Sequence, residues 1–206
     1  MRHSSARVPN TRLVLATGNP GKLREFRALL AGMPIEPVAQ AELGIAPAEE
    51  TGSSLLANAL LKGRHAAAAA GCPAIADDSG LEVDALGGAP GVYSARYAGP
   101  KADDAANNAK LLAALSNTPP AARGARYRCV LAFIDAASHT ELWAEGVWEG
   151  IILDAPRGTR GFGYDPYFWL PELKLTAAEL DPSEKNRRSH RGMALRALRE
   201  RLAARL

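Results

Sequence analysis

Two adjacent carboxylates, Asp77 and Asp78, follow the apolar run Pro73-Ala74-Ile75-Ala76 and lead into Ser79 and Gly80. Carboxylates at the end of such a strand must be solvated in a cleft, paired with cations or bound to a metal, because unpaired burial is costly. Successive strand side chains point to opposite faces, so one of the two shares a cleft with other strand-end groups. Glu49 and Glu50, just ahead of a helical stretch, add a second carboxylate and so complete the hard oxygen donors that Mg²⁺ prefers. Helix capping by Glu49 or Glu50 and an Asx turn at Asp78 are the structural alternatives.

A second cluster is Thr17-Gly18-Asn19-Pro20-Gly21-Lys22, at a strand end and at the start of a helix. Free N–H groups, the dipole end and the Lys22 charge suit a phosphate there, while the glycines permit close approach. It is not a Walker A loop, whose lysine precedes Ser or Thr; here Leu23 follows. Gly161-Phe162-Gly163-Tyr164-Asp165-Pro166 joins two aromatics to a carboxylate, a combination able to stack on a base and accept from its N–H groups, or to form a structural turn with core aromatics. Lys185, Asn186, His190 and Arg191 gather donors ahead of the last helix.

The elements that carry these groups follow from periodicity. Leu13 to Ala16 reads as a strand, and Leu23, Phe26, Leu29 and Leu30 as a helix ended by Gly32. A short strand is expected at Ile35 to Ala39. Leu55 to Ala70 reads as a helix capped by Ser53 or Ser54 and stopped by Gly71, and Pro73 to Ala76 as a buried strand. A loop from Gly87 to Gly99 precedes a helix near Asp103 to Leu115. Arg126 to Ile134 and Glu141 to Trp148 read as long strands joined through Asp135, Ser138 and His139, with Tyr127, Cys129, Leu131 and Phe133 on one face. Tyr167 to Trp169 is a further strand, and a final helix starts near Ser189. Alternating strands and helices with two adjacent long strands imply an α/β fold with a mixed sheet.

The chain has 206 residues, 47% of them apolar and 23% charged, which excludes disordered, collagen-like and disulfide-miniprotein classes. Two cysteines, Cys72 and Cys129, give neither a metal-ligand spacing nor a disulfide framework, and both are expected to be reduced and buried. No apolar segment long enough to span a membrane and no signal-like N-terminus is present, so a cytoplasmic location is expected. Residues 1–12 read as a flexible lead to a single domain at 13–206. The net charge is +3, yet Lys185 to Leu206 carries eight basic residues against Glu200 alone. That asymmetry fits an anionic partner, or a solvated helix face.

Taken in order, LVLATGNPGKLREF (13–26), EETGSSLLANALLKGRHAA (49–67), PAIADDSGLEVDALGGAPGVYSARYAG (73–99), GFGYDPYF (161–168) and SEKNRRSHRGMAL (183–195) closely resemble the inosine triphosphate pyrophosphatase family. The resemblance runs from Leu13 to about Leu202. It implies an elongated mixed sheet flanked by helices, with two lobes around a nucleotide cleft, and a homodimer. It further implies Mg²⁺-dependent hydrolysis of non-standard purine triphosphates (dITP, ITP, XTP) to monophosphate and pyrophosphate, which cleanses the nucleotide pool. By the same resemblance Thr17, Gly18, Asn19, Pro20, Gly21 and Lys22 hold the triphosphate, Glu50 and Asp78 bind Mg²⁺, and Asp78 accepts the proton of the attacking water. Lys22 assists catalysis, Ser79 contacts substrate, and Phe162, Gly163, Tyr164, Asp165, Lys185, His190 and Arg191 contact base and phosphate. Asp77 is a rival metal ligand. The other readings are a Maf-like pyrophosphatase acting on pyrimidine or modified nucleotides, a non-catalytic nucleotide sensor, and a nucleic-acid binder using the basic end; neither nucleic acid nor membrane is expected as a partner.

Overall fold

The computed structural model describes residues 11–204. Most of the expected lead, residues 1–10, lies outside them, but Thr11 and Arg12 already belong to the first strand, β1 (Thr11–Ala16). The strand starts two residues early because its ladder to β2 (Ile35–Ala39) pairs Thr11 with Ile35. Between them runs α1 (Pro20–Leu29), whose first turn is closed by the Asn19 side chain accepting from Lys22 N–H, with Pro20 where its missing N–H costs nothing.

Helix α2 (Leu55–Ala70) is capped by Ser54, which accepts from Ala57 N–H at 3.1 Å, and ends at Gly71 in the left-handed conformation. Glu49 and Glu50 lie ahead of this cap and take no part in it. Strand β3 (Ala74–Val83) is longer than the apolar run suggests. It pairs antiparallel with β4 (Gly124–Asp135) over its whole length, so Asp77 to Gly80 are mid-strand residues rather than a turn. The ladder outweighs the weak strand propensity of Asp, Ser and Gly. Strand β4 turns into β5 (Thr140–Ile152) through Asp135, whose carboxylate accepts from Ser138 Oγ at 2.6 Å, with His139 at positive φ. After α3 (Asp104–Ala114) and this hairpin come β6 (Phe168–Leu170), β7 (Leu175–Thr176), α4 (Pro182–Arg188) and α5 (His190–Ala203).

The seven strands form one sheet in the order β2-β1-β3-β4-β5-β6-β7, parallel among β1, β2 and β3 and antiparallel thereafter. The mixed α/β fold expected from the sequence is present. One face of the sheet buries Leu13, Leu15, Ile75, Cys129, Leu131 and Ala144 under Phe26 of α1 and Leu195 and Leu198 of α5. The opposite face buries Val14, Ala16, Ala76 and Ile134 under Ala66 and Ala67 of α2. The alanine run and Gly63 let α2 approach closely: a Cβ on Gly63 would press on Ile134. A further cluster of Leu81, Leu111, Tyr127, Trp148 and Phe168 completes the core toward β6. Cys129 is fully buried as expected; Cys72, beside the Gly71 helix end, is only half-buried, and neither forms a disulfide.

Helix α1 carries the chain from β1 to β2 over one face of the sheet and α2 carries it from β2 to β3 over the other, with β1 between the two strands, so the crevice beyond the carboxyl ends of β1 and β3 is a topological switch point, the usual ligand position in open α/β sheets. Strand β1 pairs with β3 only as far as Ala16 opposite Ala76. From Asp77 onward that edge of β3 is free of β1, and the sheet opens there.

Candidate active site at the β1/β3 crevice

At this opening the chain alternates two charge clusters across the sheet. Asp77 projects to the face of α1 and α5, where its Oδ1 accepts from the Lys22 ammonium and from Ser79 Oγ at 2.9 Å. Its Oδ2 accepts from Arg191 Nε at 2.7 Å and from Cys129 Sγ at 3.0 Å. Burial opposes ionisation of Asp77, but the adjacent Arg191 and Lys22 hold its carboxyl well below the ordinary range. Four donors, two of them cations, occupy both oxygens, which leaves Asp77 poorly disposed toward a metal.

Asp78 projects to the α2 face. Its Oδ1 accepts from Lys62 Nζ at 2.6 Å and its Oδ2 from Asn58 Nδ2 at 3.2 Å. The same ammonium lies 2.9 Å from Glu50 Oε1, while Glu50 Oε2 accepts from Arg96 at 2.7 Å. Burial raises the Asp78 carboxyl above its usual value against the pull of Lys62 and Lys22. Burial also opposes the charge of Lys62, yet Asp78 and Glu50 hold its pKa above the ordinary value. Among the described residues no three His, Cys, Asp or Glu side chains converge. Glu50 and Asp78, joined through Lys62 Nζ, are two carboxylates on this face, and a carboxylate pair is the chemistry that Mg²⁺ takes together with substrate phosphates.

On the α1/α5 face lies a cavity of about 280 Å³. Ser79, Leu81 and Tyr127 form its floor, Asn19 and Lys22 its phosphate-loop side, and Phe162 to Asp165 with Lys185, His190 and Arg191 its far wall. Thr17, nearly buried at the end of β1, accepts from Asn19 N–H at 3.2 Å through its Oγ1 and so shapes the loop. Gly18 has open space where a side chain would stand. Gly21 does not: a Cβ there would collide with the Phe162 ring, so this glycine seats the aromatic loop on the first turn of α1.

Within that wall the two aromatics differ. Phe162 is half-buried with Lys185 Nζ 4.8 Å above its ring, whereas Tyr164 is a core residue whose hydroxyl donates to Ser94 C=O at 2.7 Å. Gly163 N–H donates to Asp104 at 2.6 Å. Lys185 bridges Asp165 (2.5 Å) and Glu25 (2.8 Å); burial works against its charge, but the two carboxylates keep its pKa raised. Arg191, 1% exposed, spends its nitrogens on Asp77, Glu25 and Ser79 (3.1 Å), so it ties the wall together more than it reaches into the cavity. His190 stacks on Tyr127 at 4.7 Å, its Nδ1 is buried without a partner, and burial with the nearby Arg191 and Lys185 charges holds its pKa well below the ordinary value. It is neutral at physiological pH.

Of the expected residues, Asn19, Lys22, Ser79, Phe162 to Asp165, Lys185, His190 and Arg191 line the cavity on one face of β3, and Glu50 and Asp78 meet at Lys62 on the other. Sequence reasoning missed Glu25, Lys62, Arg96, Tyr127 and Asn58. Asn58 and Lys62 carry a usable signal: polar residues four apart along α2, the first set between Leu55 and Ala59 on the apolar stripe.

A profile of the Ham1 family matches residues 13–201. The chain is 57% identical to the dITP/XTP pyrophosphatase of Thioalkalivibrio sulfidiphilus over 94% of its own length and all of that protein, and 57% identical to the dITP/XTP pyrophosphatase of Yersinia pseudotuberculosis over 91% and 95%. Its fold superimposes on a HAM1 protein from Coxiella burnetii with TM-score 0.84 and 47% identity, covering 94% of this chain and 99% of the other. With sequence, fold and the crevice at the β1/β3 switch point in agreement over nearly the whole length, the chain belongs to the Ham1 family.

Proposed function

We propose that this chain hydrolyses dITP, ITP and XTP between the α and β phosphorus, releasing the monophosphate and pyrophosphate and so removing non-standard purines from the nucleotide pool. The observation that carries the reading is the convergence of a phosphate-type helix N-terminus, two carboxylates and an aromatic cavity on one opening in the sheet. The names and identities of the curated relatives support it.

In this reading the triphosphate lies along Thr17 to Lys22, with the helix start and Lys22 offsetting its charge. Glu50 and Asp78 would hold Mg²⁺, which when bound neutralises phosphate oxygens and polarises the reacting phosphorus. Asp78, kept basic by burial, accepts the proton of the attacking water, and Ser79 orients the phosphate from the floor of the cavity. The base occupies the cavity beside Phe162, with its edge toward Asp165, Lys185 and His190. Neutral His190 offers an N–H to a 6-keto oxygen, and adenine would present an amino group to that donor; a mismatch that leaves buried groups unpaired costs about 1–3 kcal/mol. No described helix is long and apolar enough to cross a membrane. A homodimer acting in the cytoplasm completes the proposal; sedimentation at the mass of one 21.8 kDa chain would refute the dimer.

The test is pyrophosphate release with Mg²⁺ from dITP and XTP against dGTP, dATP and dTTP at equal concentration. Fast release from the first two alone is expected. Preference for dTTP, or nucleotide binding without release, would overturn the assignment.

A further inference from the structure

One ammonium stands where the proposed metal would. Lys62 Nζ lies within hydrogen-bond distance of both Glu50 Oε1 (2.9 Å) and Asp78 Oδ1 (2.6 Å), the oxygens of the two-carboxylate set that face each other. We propose that Lys62 is an internal counter-ion that occupies the place of the divalent cation between Glu50 and Asp78 and gives it up when metal binds. The proposal rests on the assignment of these two carboxylates as the metal-holding pair.

Three features carry it. An ammonium and a divalent ion compete for the same lone pairs and repel each other, so they cannot share the gap. The remaining oxygens are held independently, Glu50 Oε2 by Arg96 at 2.7 Å and Asp78 Oδ2 by Asn58 at 3.2 Å, so both carboxylates keep their orientation when the lysine leaves. The backbone of Lys62 is fixed by the packing of Ala59, Gly63 and Ala66 against the sheet, but its four-carbon stem is flexible and its side chain keeps 12% exposure. The consequence is that empty enzyme binds metal weakly and keeps its carboxylates neutralised. Metal then enters most readily together with a triphosphate, whose negative charge gives the displaced ammonium a new partner.

Mn²⁺ binding without nucleotide, read by electron paramagnetic resonance of the free ion, tests this on wild type, Lys62→Met, Lys62→Gln and Glu50→Gln. Both Lys62 variants are expected to bind Mn²⁺ at least tenfold more tightly than wild type, and adding Glu50→Gln to either is expected to abolish the gain. Equal affinity in wild type and the Lys62 variants, with binding lost in Glu50→Gln, would leave the metal site standing and overturn the exchange. No binding by any protein, with or without a non-hydrolysable dITP analogue, would overturn the metal assignment itself. A readout on wild type guards against variants that fail to fold: acetylation of Lys62 by acetic anhydride, followed by mass spectrometry, should rise on Mn²⁺ saturation, and unchanged labelling would refute the displacement.

Discussion

At the scale of single residues, neighbours in sequence have different physical surroundings. Asp77 neutralises Lys22 and Arg191, both in a region nearly closed to water, whereas Asp78 shares Lys62 with Glu50. Asp78→Asn should therefore lower kcat by a hundredfold or more, about the lower end of general-base contributions, with nucleotide affinity and Tm nearly unchanged. Asp77→Asn should act first on stability, costing about 3 kcal/mol because a buried guanidinium loses a partner, and less on kcat. Denaturant melts and steady-state kinetics on both variants check this, and the reverse ranking would exchange their roles. His190 gives a pH prediction. Its folded pKa is depressed, so the unfolded chain takes up a proton first as pH falls through the ordinary histidine value near 6.5. Stability contributed by the neutral ring is present above that value and is lost below it, at up to about 1.4 kcal/mol per pH unit. Urea melts between pH 7.5 and 5 should show this slope in wild type and a flatter one in His190→Gln.

At the scale of elements, close approach of backbone positions the site more than side-chain volume does. Helix α5 rests on β5 where Gly146 has no side chain; a Cβ there would run into His190 C=O and Ala194 N. Gly146→Ala should cost roughly 1–3 kcal/mol, the usual range for overpacking, and should weaken nucleotide binding because His190 and Arg191 begin this helix. Equal melting temperatures for the variant and wild type would show that α5 can shift without loss. Ser54→Ala removes the α2 cap and should cost about 1 kcal/mol with kcat retained, since the helix stays pinned by Ala59, Ala66 and Ala67. The element boundaries follow from local signals where caps and glycines are explicit. They stray where ladder partners distant in sequence extend a strand: β1 starts at Thr11 against β2, β3 runs through Asp77 to Gly80 against β4, and β5 runs on to Ile152 rather than ending at Trp148.

At the scale of the whole molecule, the substrate is expected to join parts of the chain far apart in sequence, from Thr17 to Arg191. A non-hydrolysable dITP analogue at 100 times its Kd should stabilise the fold by about 2.7 kcal/mol, and Tm should rise by roughly 2–4 °C for each kcal/mol. A differential scanning trace with no rise, under conditions where binding is measured independently, would place the nucleotide outside this crevice. The sequence by itself determined the α/β class, most of the elements and the short strand-end motifs, because caps, glycines and apolar periodicity act over a few residues and are written locally. Tertiary structure alone decided that Asp77 and Asp78 face opposite clusters of cations, that Gly21 seats Phe162, and that Glu25 meets Lys185 and Arg191. Those facts depend on the register of β3 against β4 and on helices crossing opposite faces of the sheet, contacts between residues as many as 166 positions apart that no local pattern encodes.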